Sequence, residues 1–439
     1  MADPLTTVIH ALAGRKDLLG WTARHRRVRG EQLFADRHRV EARRSVESDQ
    51  VILDVLCASD GAADPPSCGA ASATVTAGED PGPAIEFAAQ AARRTRNPRY
   101  PLPSPSAIPE VGLADPDLLN DLSGGLASLH DRLHGRASRD ASARLTLAEW
   151  FAEHEETHLV NSQGIDAEQR RTELSLEWIV LAGDGQGRVE TIVDLSRRRL
   201  RDLDVEAEWD QVARQTADRH RAEAAPSYQG PVVLHGRTLG IFLNSGPIQT
   251  LASGRSRFSK LSHWEPGASV FRGEVAGDPL TVWATRLIPY GEHASRFDDE
   301  GLPGQRVLLI EKNIFRTYSA GQRYANYLSV PATGAFGDIE IPAGSTPAAD
   351  LLGEPHVELV SWSWFSPNPT VGDFAAEIRL GYVVENGQRR PFSGGLLVGN
   401  LFDALANVRW SAETGFFGDY LGPTTARFAS LQVTPSRAT

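Results

Sequence analysis

Residues 143–195 constrain the fold most. LTLAEWFAEHEETHLV, TELSLEWIVLAG and RVETIVDL each alternate or bury apolar residues, the period-two signature of strands. GDGQG at 183–187 joins the last two as a hairpin turn; it lacks the strand-to-helix setting and full spacing of a phosphate-binding loop. A sheet therefore organises this part of the chain, and the flanking segments must cover it. Asp3-Pro4 caps a short helix reaching Gly14, and a second helix is expected from Pro83 to Arg94. A third opens at Asp115-Pro116, with Leu118, Leu122, Leu126, Leu129 and Leu133 on one face and Gly135 as its stop. A fourth spans 204–224, with Val205, Trp209, Val212, Ala213 and Thr216 on one stripe. VILDVLC at 51–57 is a strand, whereas 58–80 reads as a loop holding one short strand near Ala73–Val75. Prolines 98, 101, 103, 105, 109 and 116 rule out a hydrogen-bond ladder over 97–116, which must be an extended linker or a strap.

Beyond SYQGP at 227–231 helices nearly vanish. Val270–Val275, Thr281–Ile288, Val307–Ile310, Ile314–Ser319, His356–Val360, Phe374–Val384, Pro391–Val398 and Arg427–Val433 read as strands, with short helices near 246–253 and 400–407. The expected class is α+β. Residues 1–226 form an N-terminal α/β domain with helices packed on a sheet, and 227–439 a mostly antiparallel β domain.

Charge and composition narrow the function. A net charge of −11 argues against general nucleic-acid binding, no apolar run approaches the ~20 residues of a membrane helix, and the N-terminus lacks a secretory pattern. A cytoplasmic location is expected. Cys57 and Cys68, the only cysteines, read as free thiols with no nearby acid and histidine to activate them. The segment 24–44 carries eight arginines, either a basic patch for an anionic partner or, with Glu31, Asp36 and Glu41 interleaved, a pair of solvated strands; the second reading is preferred. Asp298, Asp299 and Glu300 are read as a solvated loop tip rather than an acid–base pair.

The loudest chemical pattern is His154-Glu155-Glu156-Thr157-His158, a literal H-E-x-x-H. On a helix the two imidazoles would lie ~6 Å apart and could share zinc. On a strand they would stand ~13 Å apart and could not. The alternation before the motif and the Asn161-Ser162-Gln163-Gly164 turn after it favour the strand. Two aromatic stretches, SWSWFSPNPTVGDF at 361–374 and WSAETGFFGDYLGP at 410–423, are either interaction surfaces or satellite core.

Four segments resemble the TldD/PmbA family in order and spacing: LVNSQGIDAEQRRTELSL (159–176), GPVVLHGRTLGIFL (230–243), PNPTVGDF (367–374) and SGGLLVGNLFDALANV (393–408). Members form a peptidase from a zinc-bearing TldD subunit and a TldE (PmbA) subunit without zinc ligands. The resemblance sets 144–160 on strands and places the catalytic subunit's H-E-x-x-x-H over 244–249, where this chain has Asn244, Ser245 and Gln249. The family's C-terminal cysteine ligand is missing, since 410–439 contains no cysteine. The resemblance implies a non-catalytic TldE-like subunit with no metal of its own. It would pair as a heterodimer with a TldD-like partner that carries zinc, around a peptide or peptide-like substrate. Trp362, Trp364, Phe365 and Phe417 are the candidates for interface or substrate wall. Two alternatives are a self-sufficient zinc hydrolase using His154, Glu155 and His158, and a stand-alone module binding a peptide or metabolite.

Overall fold

The computed structural model describes residues 3–37, 39–61 and 66–435. Seven antiparallel strands build the first sheet: β1 (Leu18–Asp36), β2 (Arg39–Ala58), β3 (Ser67–Thr76), β4 (Asn97–Pro98), β5 (Arg144–Asn161), β6 (Asp166–Ala182) and β7 (Val189–Arg197), in the order β4-β3-β2-β1-β5-β6-β7. Four strands of this sheet are 17 to 20 residues long. At ~3.3 Å per residue they extend well past any one helix, so several helices are needed to cover one face.

That face carries the odd residues of β1 and β2 and the even ones of β5 and β6. At one end α1 (Pro4–Ala13) and α2 (Pro81–Arg93) seal Ala23, Val51, Leu53 and Val55. At the other end α3 (Pro116–Asn120), α4 (Leu122–Ala137) and α5 (Val205–His220) close over Leu33, Trp150, Leu176 and Trp178. Aspartates cap these helices: Asp3, the cap read from the sequence, accepts from Thr6 N, Asp80 from Gly82 N, starting α2 two residues ahead of the expected Pro83, and Asp204 from Ala207 N.

Three expectations need correction here. The helix opening at Asp115-Pro116 breaks at Asp121, whose extended backbone ends α3 while its carboxylate caps α4 at Gly124 N; α4 then runs past Gly135 to Ala137. The 58–80 loop holds a ten-residue strand, β3. Its small residues lack apolar periodicity because α2 packs directly upon them, so closely that a Cβ at Gly69 would collide with the Ala92 carbonyl. Val270–Val275 and most of Ile314–Ser319 are irregular. Their backbone donors go to loops instead, Val270 N to Asn313 O and Ser319 N to Ala252 O.

The C-terminal half forms two sheets around one large core. One orders its main path as His356–Trp362, Tyr228–His235, Thr425–Thr434, Leu396–Asn400, Asp373–Glu385, Gln388–Ser393 and Glu223–Ala224. The other orders Ile314–Phe315, Arg306–Glu311, Val282–Thr285, Asp338–Glu340, Tyr420–Pro423 and Thr414–Phe416. Most pairings are antiparallel, so the α+β class expected from the sequence is the one observed. The proline-rich 97–116 segment is a strap: Pro103 O accepts from Asn161 Nδ2, and Gly112 O from Tyr290 N. Among the described residues no helix is long and apolar enough to cross a membrane.

Candidate functional site

The H-E-x-x-H pattern lies in the middle of β5. His154, Glu156 and His158 share the helix-side face, opposite Arg29, Arg27 and His25 of β1, while Glu155 points to the other face. Residues four apart on a strand cannot converge on one ion. His158 Nε2 instead meets Asp166 Oδ1 at 2.7 Å, and burial lowers the pKa of His154 below its ordinary value. Glu155 is buried, with Oε2 accepting from Arg26 Nε at 2.6 Å and Arg171 at 3.0 Å. The zinc-hydrolase alternative built on these three residues therefore lacks its geometry.

The second candidate region follows the Tyr228–His235 strand. GRTLGIFL folds as α6 (Gly236–Leu243), with Leu239, Phe242 and Leu243 buried beneath it. The helix stops at Asn244. Gly246 takes φ = +114°, and Pro247 opens the one-turn α7 (Pro247–Leu251) on a new axis. The three marked side chains are engaged locally: Asn244 Nδ2 donates to Asp419 O (3.3 Å), Gln249 Nε2 donates to Asn244 Oδ1 (3.2 Å), and Ser245 Oγ donates to Phe242 O (2.7 Å). Two amides and a hydroxyl held this way offer no imidazole, thiolate or carboxylate, so the trio does not fit zinc. Among the described residues no three His, Cys, Asp or Glu side chains group as metal ligands would.

Sequence reasoning missed what surrounds this turn. Asp338 is fully buried, with Oδ1 accepting from His293 N at 2.9 Å, and burial pushes its carboxyl up to about 7. A Cβ at Gly291 would collide with that carboxylate, which requires glycine there. Burial likewise raises Asp419 and Glu292 and lowers His293. The loop 291–294 is pinned by Arg198, just past β7, whose Nε donates to Gly291 O (2.7 Å) and Nη2 to Glu292 O (2.6 Å). These acids are scattered over 292–419, so no sequence spacing marks them.

Asp298 also departs from expectation. It is buried rather than part of a solvated tip, and its carboxylate accepts from the backbone N–H groups of Glu300, Leu302 and Ala335. Glu300, desolvated beside Asp298, is pushed up to about 7. Only Asp299 projects outward, with 87% of its side chain exposed.

The aromatic candidates divide. Trp364 stands 75% exposed, Trp362 and Phe417 line a groove of about 740 Å³ together with Arg197 and Ile241, and Phe365 is stacked inward on Phe242. Phe365 thus belongs to the core and presents no contact surface. Cys57 and Cys68 are free and buried, and burial raises both thiols.

Comparison with known proteins gives this arrangement its context. Residues 116–222 match the PmbA/TldA metallopeptidase central domain, and 227–435 match the PmbA/TldA metallopeptidase C-terminal domain. The chain belongs to the PmbA/TldD family. An uncharacterised protein of Methanocaldococcus jannaschii is 26% identical over 261 residues, 56% of this chain and 59% of its own length. A protein of Archaeoglobus fulgidus described as a metalloprotease is 26% identical over 220 residues, 46% of this chain and 49% of its own. The chain thus spans between about half and three fifths of the curated relatives it matches. The crystal structure of TldE from Thermococcus kodakarensis superimposes with a TM-score of 0.82, covering 97% of this chain and all of that one at 18% identity. The PmbA/TldD resemblance read from the four sequence segments is therefore correct, and the fold is shared along nearly the whole chain.

Proposed function

We propose that this PmbA/TldD-family chain is a TldE-like, non-catalytic subunit of a cytoplasmic, heterodimeric peptide-hydrolysing complex. A TldD-like partner supplies the zinc, its activated water and the general base; this chain supplies part of the enclosing wall. One observation carries the reading: the turn at Asn244–Gly246 interrupts the helix at the positions that match the catalytic motif, and there Gln249 donates to Asn244, which itself donates to Asp419 O. Exposed Trp364 and the groove-lining Trp362 and Phe417 are the proposed contacts with partner or substrate.

Elemental analysis tests this directly. The chain purified alone is expected to carry no zinc, and the complex with an H-E-x-x-x-H-bearing family member about one zinc per heterodimer. Stoichiometric zinc on the lone chain, removed by His154→Ala, overturns the proposal.

A further inference from the structure

The face of the long sheet that the helices leave uncovered turns toward the C-terminal half. Between them lies a cleft of about 460 Å³. Its sheet wall follows from strand alternation: Arg24 and Arg26 of β1, Thr157 of β5 and Arg171 of β6 all occupy the face opposite Trp150 and Trp178. Its other wall is the loop from Arg286 to Asp299, with Phe297 and Phe336 as apolar surface.

Charge in this cleft does not cancel. Five arginines line it (24, 26, 171, 198 and 286) against four carboxylates (Glu155, Glu292, Asp298 and Asp299). Glu155 is taken by Arg26 and Arg171, and Asp299 by Arg24. Arg198 and Arg286 have no carboxylate within hydrogen-bond distance among the described residues. Both are more than nine-tenths buried. Arg198 donates only to carbonyls of the 291–294 loop, and Arg286 donates to Phe297 O, its nearest carboxylate contact being Asp298 at 3.8 Å. Arg198 Nη1, Arg286 Nε and Nη1, and Ser295 Oγ find no hydrogen-bond partner among the described residues. Buried donors of this kind are costly unless something accepts from them. Burial depresses both guanidinium pKa values, the same desolvation seen from the proton's side.

We propose that this cleft binds a carboxylate of a peptide, with Arg286, Arg198 and Ser295 forming the anion-recognising floor. Planar guanidinium groups match a carboxylate's two oxygens, and Ser295 adds a hydroxyl donor beside them. Phe297 and Phe336 would pack against the residue that carries it. The proposal deepens the substrate side of the function proposed above. The carboxylate can come from the peptide's C-terminus or from an acidic side chain.

Calorimetric titration of the full-length chain without a partner tests it with three probes: acetyl-Ala-Ala-Phe as the free acid, the same peptide as its amide, and acetyl-Ala-Glu-Phe amide. The free acid is expected to bind at least about tenfold more tightly than its amide, with Arg286→Gln erasing the difference. If the Glu-containing amide binds as tightly as the acid, either carboxylate serves; if it binds like the plain amide, only the C-terminus does. Indifference to the carboxylate, or discrimination that survives both Arg286→Gln and Ser295→Ala in folded protein, overturns the proposal. Should Arg286→Gln fail to fold, Ser295→Ala, which removes one hydroxyl, is decisive in its place. Failure of zinc to appear with a partner would sink the subunit reading and leave this binding intact. Loss of acid discrimination in a chain that still forms a zinc-bearing complex would sink the cleft alone.

Discussion

The two faces of the long sheet differ in what holds them. Beneath α4 and α5 the helix-covered face is stabilised by shape: Trp150 and Trp178, both fully buried, pack at a tilt with centroids 5.6 Å apart. The opposite face is held by pairing between arginines and carboxylates, where each group's cost of burial depends on a specific neighbour. A packed face tolerates charge poorly and is silent chemically. A paired face is costly to disturb and can trade one partner for a ligand. The proposed carboxylate cleft lies on the paired face.

The largest expected effect breaks the packed face. Trp178→Ala opens a cavity that the long strands cannot collapse to fill, with a loss of about 3–5 kcal/mol in urea unfolding. Glu155→Ala strikes the paired face. It strands Arg26 and Arg171, both about one-third exposed and so partly rescued by water, with an expected loss of about 1–3 kcal/mol. Burial alone would raise the Glu155 carboxyl, but Arg171 and Arg26 outweigh it and hold it below its ordinary value. This contribution is therefore fully present above the unfolded-state value of about 4.3 and is lost as pH falls through the lower folded value. A wild-type and variant stability difference that does not shrink with acidification would contradict the pairing.

The legibility of the molecule follows the same division. Packed elements announce themselves: the leucines of α4, the stripe of α5 and the alternation of β5 and β6 each carry a period that only one structure satisfies. β3 was hidden because its residues are small, and α3 and α4 merged into one pattern because Asp121 ends one helix and starts the next. The short helix near 246–253 was readable in the sequence, whereas the turn before it, set by Gly246 and Pro247, was not. The cleft was not readable at all. Its arginines sit at 24, 26, 171, 198 and 286, brought together by the fold rather than by spacing, and two of the five lie in a run that reads as ordinary solvated strands.

Asp338 sharpens the comparison from the C-terminal side, where a carboxylate is buried and, among the described residues, has no cation within ion-pair distance, Arg198 acting on it from farther off. Its folded value of about 7 stands above the unfolded one of about 3.9, so the folded state holds an extra proton between them and stability falls as pH rises through that window. Asp338→Asn keeps an acceptor for His293 N and removes the titration. The variant is expected to be more stable than wild type by about 1–2 kcal/mol at pH 8 and no more stable at pH 4. Thermal melts at the two pH values check this, and an equal effect at both would place the strain elsewhere.

The smallest expected effect concerns the most conspicuous motif. His154 lies on the helix-side face, in the polar gap between the α1–α2 and α4–α5 clusters, where its closest carboxylate is Glu156 at 3.9 Å and burial lowers its imidazole pKa. At neutral pH it is an uncharged, partly buried ring with no tight partner to lose. Changing His154 to Ala should alter stability by within about 0.5 kcal/mol and leave the metal content of chain and complex unchanged. A motif's chemistry needs its side chains on one surface at one ion's reach, and a strand denies that to residues four apart, whatever their names. Loss of zinc or peptide hydrolysis in the His154→Ala complex, at unchanged stability, would show that the imidazole acts through the partner across this face and would reverse which side of the sheet carries function.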